Sequence, residues 1–98
     1  MAKLTTVYWR DIPAQVIAKE RRDTAKIVLT ERFAEAIDKA AMRAKMAGTD
    51  AYLEQWRREV VNCGKDLQAV VDEAAKKLEH DFDDARLDTL VSNGGNAD

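Results

Sequence analysis

The chain is poor in the residues from which most chemistry is built. Its 98 residues include one cysteine, one histidine, one proline and four glycines. A lone Cys63 excludes an internal disulfide. Nothing else resembles a secreted disulfide scaffold, so a reducing cytoplasm is the expected compartment. One cysteine and one histidine also fall short of the several sulfur or imidazole ligands that structural zinc requires, and no metal and no cofactor is expected. The glycines stand at 48, 64, 94 and 95, away from any strand-to-helix junction with phosphate-loop spacing, which excludes the common nucleotide fingerprints. No apolar run exceeds three residues and Met1–Thr6 carries no apolar stretch, so neither export nor a membrane span is expected. An excess of either charge is missing too. With 16 basic and 18 acidic side chains the net charge is −2, and no global field draws the protein to nucleic acid or to anionic lipid.

What is present suits one small core. Apolar residues make up 46% and charged residues 35%, enough to offset the ordering entropy of a single domain but not of two. That domain is expected over residues 1–91. Ser92-Asn93-Gly94-Gly95-Asn96-Ala97-Asp98 lacks apolar periodicity and is expected to be a disordered tail, 92–98.

The first thirty residues are rich in β-branched and aromatic types. Leu4–Trp9 reads as a strand that ends where Asp11 and Pro13 break the pattern. Ala14–Lys19 and Ala25–Leu29 flank Glu20-Arg21-Arg22-Asp23 as the arms of an antiparallel hairpin. From Thr30, a candidate N-cap, the period changes to 3.6, with Phe33, Ile37, Ala40, Ala41 and Ala44 on one stripe. Gly48 is placed to close that helix in the left-handed conformation. A second helix is predicted with Tyr52, Leu53, Trp56, Val60 and Cys63 on its buried face, ending at Gly64. A third starts near Asp66 and presents Leu67, Val70, Val71, Ala74 and Leu78. The expected fold is α+β: a small three-stranded antiparallel sheet with about three helices packed on one face. Trp9, Ile17 and Val28 are not all expected to fit beneath the helices, which leaves the other face or an edge as a surface for a partner.

Catalytic constellations are scarce. Cys63 with His80 has the chemistry of a nucleophile and its base, but a helix-end cysteine more often fills core space. Glu79-His80-Asp81-Phe82-Asp83-Asp84 concentrates possible metal ligands without calcium-loop spacing, and reads as a solvated helix terminus. Arg10, Lys19, Arg21, Arg22 and Lys26 form a basic set that Glu20 and Asp23 dilute. The segment that stands out is Tyr8-Trp9-Arg10-Asp11, because tryptophan, tyrosine and arginine are enriched at binding hot spots. Tyr8, Trp9, Arg10 and Asp11 are therefore the candidate partner-binding residues. No catalytic residue is assigned.

Val7-Tyr8-Trp9-Arg10-Asp11-Ile12-Pro13-Ala14-Gln15-Val16, then Leu29-Thr30-Glu31-Arg32-Phe33, then Gly48-Thr49-Asp50-Ala51-Tyr52-Leu53 through Trp56, resemble a small bacterial family described as virulence factor. The likeness runs over about residues 4 to 80, and a similar domain occurs within conserved virulence factor C proteins. The resemblance implies a docking or accessory module. Some relatives are encoded near folate and corrinoid one-carbon enzymes, which implies an alternative: a small enzyme or ligand-binding subunit of that metabolism, using Arg10 and Asp11. The leading expectation is a non-catalytic cytoplasmic module with a protein partner.

Overall fold

The computed structural model describes residues 2–46 and 48–96. Among them the order of elements is β1 (Lys3–Trp9), β2 (Ile12–Glu20), β3 (Asp23–Val28), α1 (Glu31–Arg43), α2 (Asp50–Glu54), β4 (Trp56–Asn62), α3 (Leu67–Asp81) and α4 (Asp84–Ser92). The class is α+β with an antiparallel sheet, as expected. The sheet has four strands rather than three, in the order β3-β2-β1-β4, and four helices accompany it.

Two tight hairpins build the centre. Trp9 pairs with Ile12 and Glu20 with Asp23, so each turn holds two residues, and the first of each is an arginine at positive φ (Arg10 54°, Arg21 53°). Such turns match the twist of the strands they join. A register shift between Val7 and Tyr8 leaves Ala14 as the extra residue of a bulge in β2, which bends this end of the sheet.

Cross-strand partners share a face. Leu4 and Thr6 therefore lie with Ala18 and Val16, and these lie with Ala25 and Ile27. This face meets the helices: α3 packs on β2 and β3, and α1 packs on β2 and against α4. The contiguous core joins Val16, Ala18, Phe33, Ile37, Ala40, Val71, Leu87 and Leu90, together with Trp9 and Ile12. On the opposite face Thr5 lines up with Ile17 and Val60, and Gln15 with Val28. Val28 is 65% and Val60 55% exposed, so that face is open there, while Val7 and Trp9, which the same alternation places on it, are buried.

The second predicted helix is the main correction. Only Asp50–Glu54 is helical, and Trp56–Asn62 pairs with β1 as an antiparallel strand. The 3.6 spacing of Tyr52, Leu53, Trp56 and Val60 was coincidental, and Trp56, Val60 and Val61 prefer a strand. Closure of α1 also differs. Lys45 (φ 60°) takes the left-handed position, Met46 N–H donates to Ala41 O at 2.8 Å and Lys45 N–H to Met42 O at 3.1 Å, a Schellman cap three residues ahead of Gly48. Asp66 caps α3 by accepting from Ala69 N–H at 3.2 Å. The acidic run does not continue one helix: α3 ends at Asp81 and Asp83 caps α4, accepting from Arg86 N–H at 2.8 Å.

Ser92–Asn96 also departs from the expected tail. Gly94 and Gly95 are buried and adopt φ of 69° and 97°, and Gly95 N–H donates to Leu90 O at 2.7 Å. Ala97 and Asp98, which belong to the same expected tail, lie outside the described residues. No helix among the described residues is long and apolar enough to cross a membrane.

Candidate interaction site

The end of β1 and the turn that follows it hold the four residues singled out in the sequence, and the structure divides them. Trp9 has no exposed surface. Its indole N–H donates to Tyr52 O at 2.9 Å, and its ring stacks on Tyr52 with centroids 5.6 Å apart. Arg10 lies over Trp9 at 5.3 Å and ties together three segments that are distant in sequence. Its guanidinium donates to Gly94 O at 2.9 Å and Gln55 Oε1 at 3.2 Å, and reaches Met46 Sδ at 3.1 Å. A positive φ at a non-glycine residue costs about 1 kcal/mol or more; these contacts offset it. Asp11 N–H donates to Gly95 O at 2.9 Å, and its carboxylate pairs with Arg57 at 3.2 Å.

Tyr8 faces the helix side. The Arg57 guanidinium lies 4.4 Å from its ring centroid and also pairs with Glu59. Burial raises the Tyr8 phenol above its ordinary range, and the nearby Glu59 carboxylate adds to the effect. For Arg57, burial disfavours the charged form, but hydrogen bonds to Glu59 and Asp11 outweigh it and hold the proton more firmly. Beside this cluster runs a groove of ≈ 400 Å³, with Leu4, Thr6 and Tyr8 as floor and Leu78 and Phe82 of the helical layer as wall.

The groove borders β4, which the sequence reading missed. β4 is an edge strand, half-buried at Trp56 and exposed from Arg57 to Asn62. Arg10 N–H donates to Gln55 O and Cys63 N–H to Ala2 O, both at 3.1 Å. These bonds bracket the β1–β4 pairing and place the odd-numbered residues of β4 in hydrogen-bonded pairs. The N–H groups of Arg58, Val60 and Asn62 therefore point away from the sheet. The other edge, β3, is shorter and carries Lys26, a common guard against strand addition.

Cys63 is half-buried and follows β4, while His80 is exposed in the last turn of α3. Among the described residues no three His, Cys, Asp or Glu side chains gather where they would hold a metal ion. Glu79 serves another purpose. Its carboxylate accepts from Thr30 N–H and Thr30 Oγ1, each at 2.9 Å, and pairs with Arg32 at 2.9 Å. Burial alone would raise the Glu79 carboxyl, but the Thr30 and Arg32 bonds overcome that and hold it below its ordinary value.

A family model described as virulence factor matches residues 7–91. The match extends past Glu79 through the acidic stretch and nearly to the end of α4, beyond the likeness read from the sequence. No curated protein and no solved structure matches the chain.

Proposed function

This chain belongs to the virulence factor family, and from that premise we propose that it is a non-catalytic interaction module that receives an extended segment of a partner protein along β4. The observation that carries this reading is the open edge. Seven residues long, β4 turns the N–H groups of Arg58, Val60 and Asn62 outward, and its Val60 and Val61 are 55% and 56% exposed. Unpaired edges of this length template strand addition, and natural folds usually guard them. An added strand would satisfy the outward backbone groups and cover both valines, main-chain bonds giving affinity and side-chain contacts selectivity. Tyr8, Arg57 and Glu59 would lie beside the incoming chain on the helix side. Trp9 and Arg10 would act from beneath by fixing the turn.

The alternation of N–H groups supplies the test. Val60→Pro removes an outward donor and should leave thermal stability within about 1 kcal/mol, whereas Val61→Pro removes a ladder bond and should cost about 2 kcal/mol or more. A photo-crosslinker at Val60, compared with one at Gln68 on α3, identifies the partner in the native lysate. The purified partner should then bind Val60→Pro at least about tenfold more weakly than wild type, a loss of about 1.4 kcal/mol. Equal crosslinking at both positions, crosslinks to a second copy alone, or unchanged affinity of a well-folded Val60→Pro would each reject the reading.

A further inference from the structure

A second recess lies where α1, α2 and the start of β4 meet. Tyr52 and Trp56 form its aromatic corner, with ring planes at 89° and centroids 6.1 Å apart. Leu29 and Ile37 line it, Val28 lies at its rim, and Asp38 supplies the carboxylate. We propose that this recess is a binding site for a compact methylated ammonium ion.

Size, charge and solvation agree on that class. The recess measures ≈ 140 Å³, and a cavity of about 150 Å³ holds a benzene-sized guest, so a trimethylammonium head fits. The faces of tyrosine and tryptophan carry negative potential and attract a cation held against them. Asp38 is exposed and makes no salt bridge among the described residues, so its charge is available. It lies close enough to Tyr52 to add to the effect of burial in raising that phenol. An anion would meet two aromatic rings and a carboxylate, with no cationic side chain lining the recess to hold it. A primary ammonium would bring three N–H donors, of which the Asp38 carboxylate can satisfy only part and the valine, leucine and isoleucine side chains none, at a desolvation cost. A quaternary head has no such donors and spreads its charge over methyl groups that suit both rings and aliphatic walls.

The corner is also held in place before any ligand arrives. Trp9 backs Tyr52 and donates to its carbonyl at 2.9 Å, and Trp56 is anchored opposite Trp9 in the sheet. Little ordering remains to be done on binding, which is what a weak, small ligand requires.

Choline and its neutral carbon isostere 3,3-dimethyl-1-butanol separate cation recognition from simple apolar filling. In amide and indole NMR titrations of the intact chain, choline should shift the Tyr52 amide and the Trp56 indole with a Kd on the order of millimolar, about tenfold tighter than the alcohol. Asp38→Asn, an exposed helix position that keeps the fold, should weaken choline about three- to tenfold and leave the alcohol unchanged. Trp56→Leu should weaken choline by about tenfold or more. Equal binding of choline and the alcohol, an Asp38→Asn variant that binds choline as wild type does, or shifts confined to residues outside the recess would overturn the assignment.

Discussion

At the scale of single residues, the fold is closed by a glycine rather than a large side chain. A Cβ on Gly95 would stand 2.7 Å from Trp9 Cζ3, and its φ of 97° is strained for any other residue. Gly95→Ala should therefore cost about 2–4 kcal/mol, combining backbone strain with overpacking. A urea midpoint equal to that of wild type would contradict the seating of Trp9. The two turn arginines make a sharper pair, because one backbone demand is met for different reasons. Arg21 is exposed and makes no hydrogen bond or salt bridge among the described residues, so Arg21→Gly should relieve its positive φ and gain about 0.5 kcal/mol. Arg10→Gly relieves the same φ but abandons Gly94 O, Gln55 and Met46, and should lose about 2 kcal/mol. Thermal melts of the two variants moving in the same direction would refute the division of roles. The sequence had already marked Trp9 and Arg10 as unusual. It did not reveal that they face inward, because their partners, Met46, Tyr52, Gln55 and Gly94, lie 36 to 84 residues away in the chain.

At the scale of elements, local pattern and long-range contact part company. The β2–β3 hairpin and the helices α1 and α3 were legible because each buries one face against a neighbour and so repeats with its own period. β4 was not. Both of its faces are open beyond Trp56, so nothing selects an alternating sequence, and Arg57-Arg58-Glu59 reads as the polar side of a helix. α4 was hidden in the same way by its acidic start, although Asp83 followed by Leu87, Leu90 and Val91 is the signal of a capped amphipathic turn. The start of α1 shows a related effect. Thr30 stands at the N-cap, but its hydroxyl makes no bond within α1 and instead bonds Glu79 of α3, joining two helices at the point where a local cap was expected. That joint is pH-dependent. Glu79 has a folded value depressed below the ordinary 4.5, so its contribution is full above that pH and is lost as pH falls through the lower folded value. Glu79→Gln should destabilise the protein by about 2 kcal/mol at neutral pH, the worth of charged hydrogen bonds. It should also flatten the fall in stability below pH 4.5. Denaturation curves of the two proteins that stay parallel down to acid would show that the joint carries no such linkage.

At the scale of the whole molecule, the architecture is one-sided: α1 and α3 crowd one face of the sheet, while the other face stays open at Val28 and Val60 and so does the β4 edge. Composition and hydropathy were enough to indicate the α+β class. The strand order was beyond them, since placing β4 beside β1 depends on a pairing across more than forty residues that leaves no local trace. The same layout puts the two tryptophans, neighbours across the sheet, in opposite optical settings. Trp9 is sealed at 0% exposure while Trp56 is half-buried at the mouth of a recess. Excited together, the native protein should therefore emit as two populations, a blue component that acrylamide barely reaches and a redder one that it quenches readily, giving a Stern–Volmer plot that curves downward and straightens on unfolding. Trp56→Phe should leave only the blue, protected emission, so the intact chain carries one lamp that reports the integrity of its core and another that reports what enters the recess.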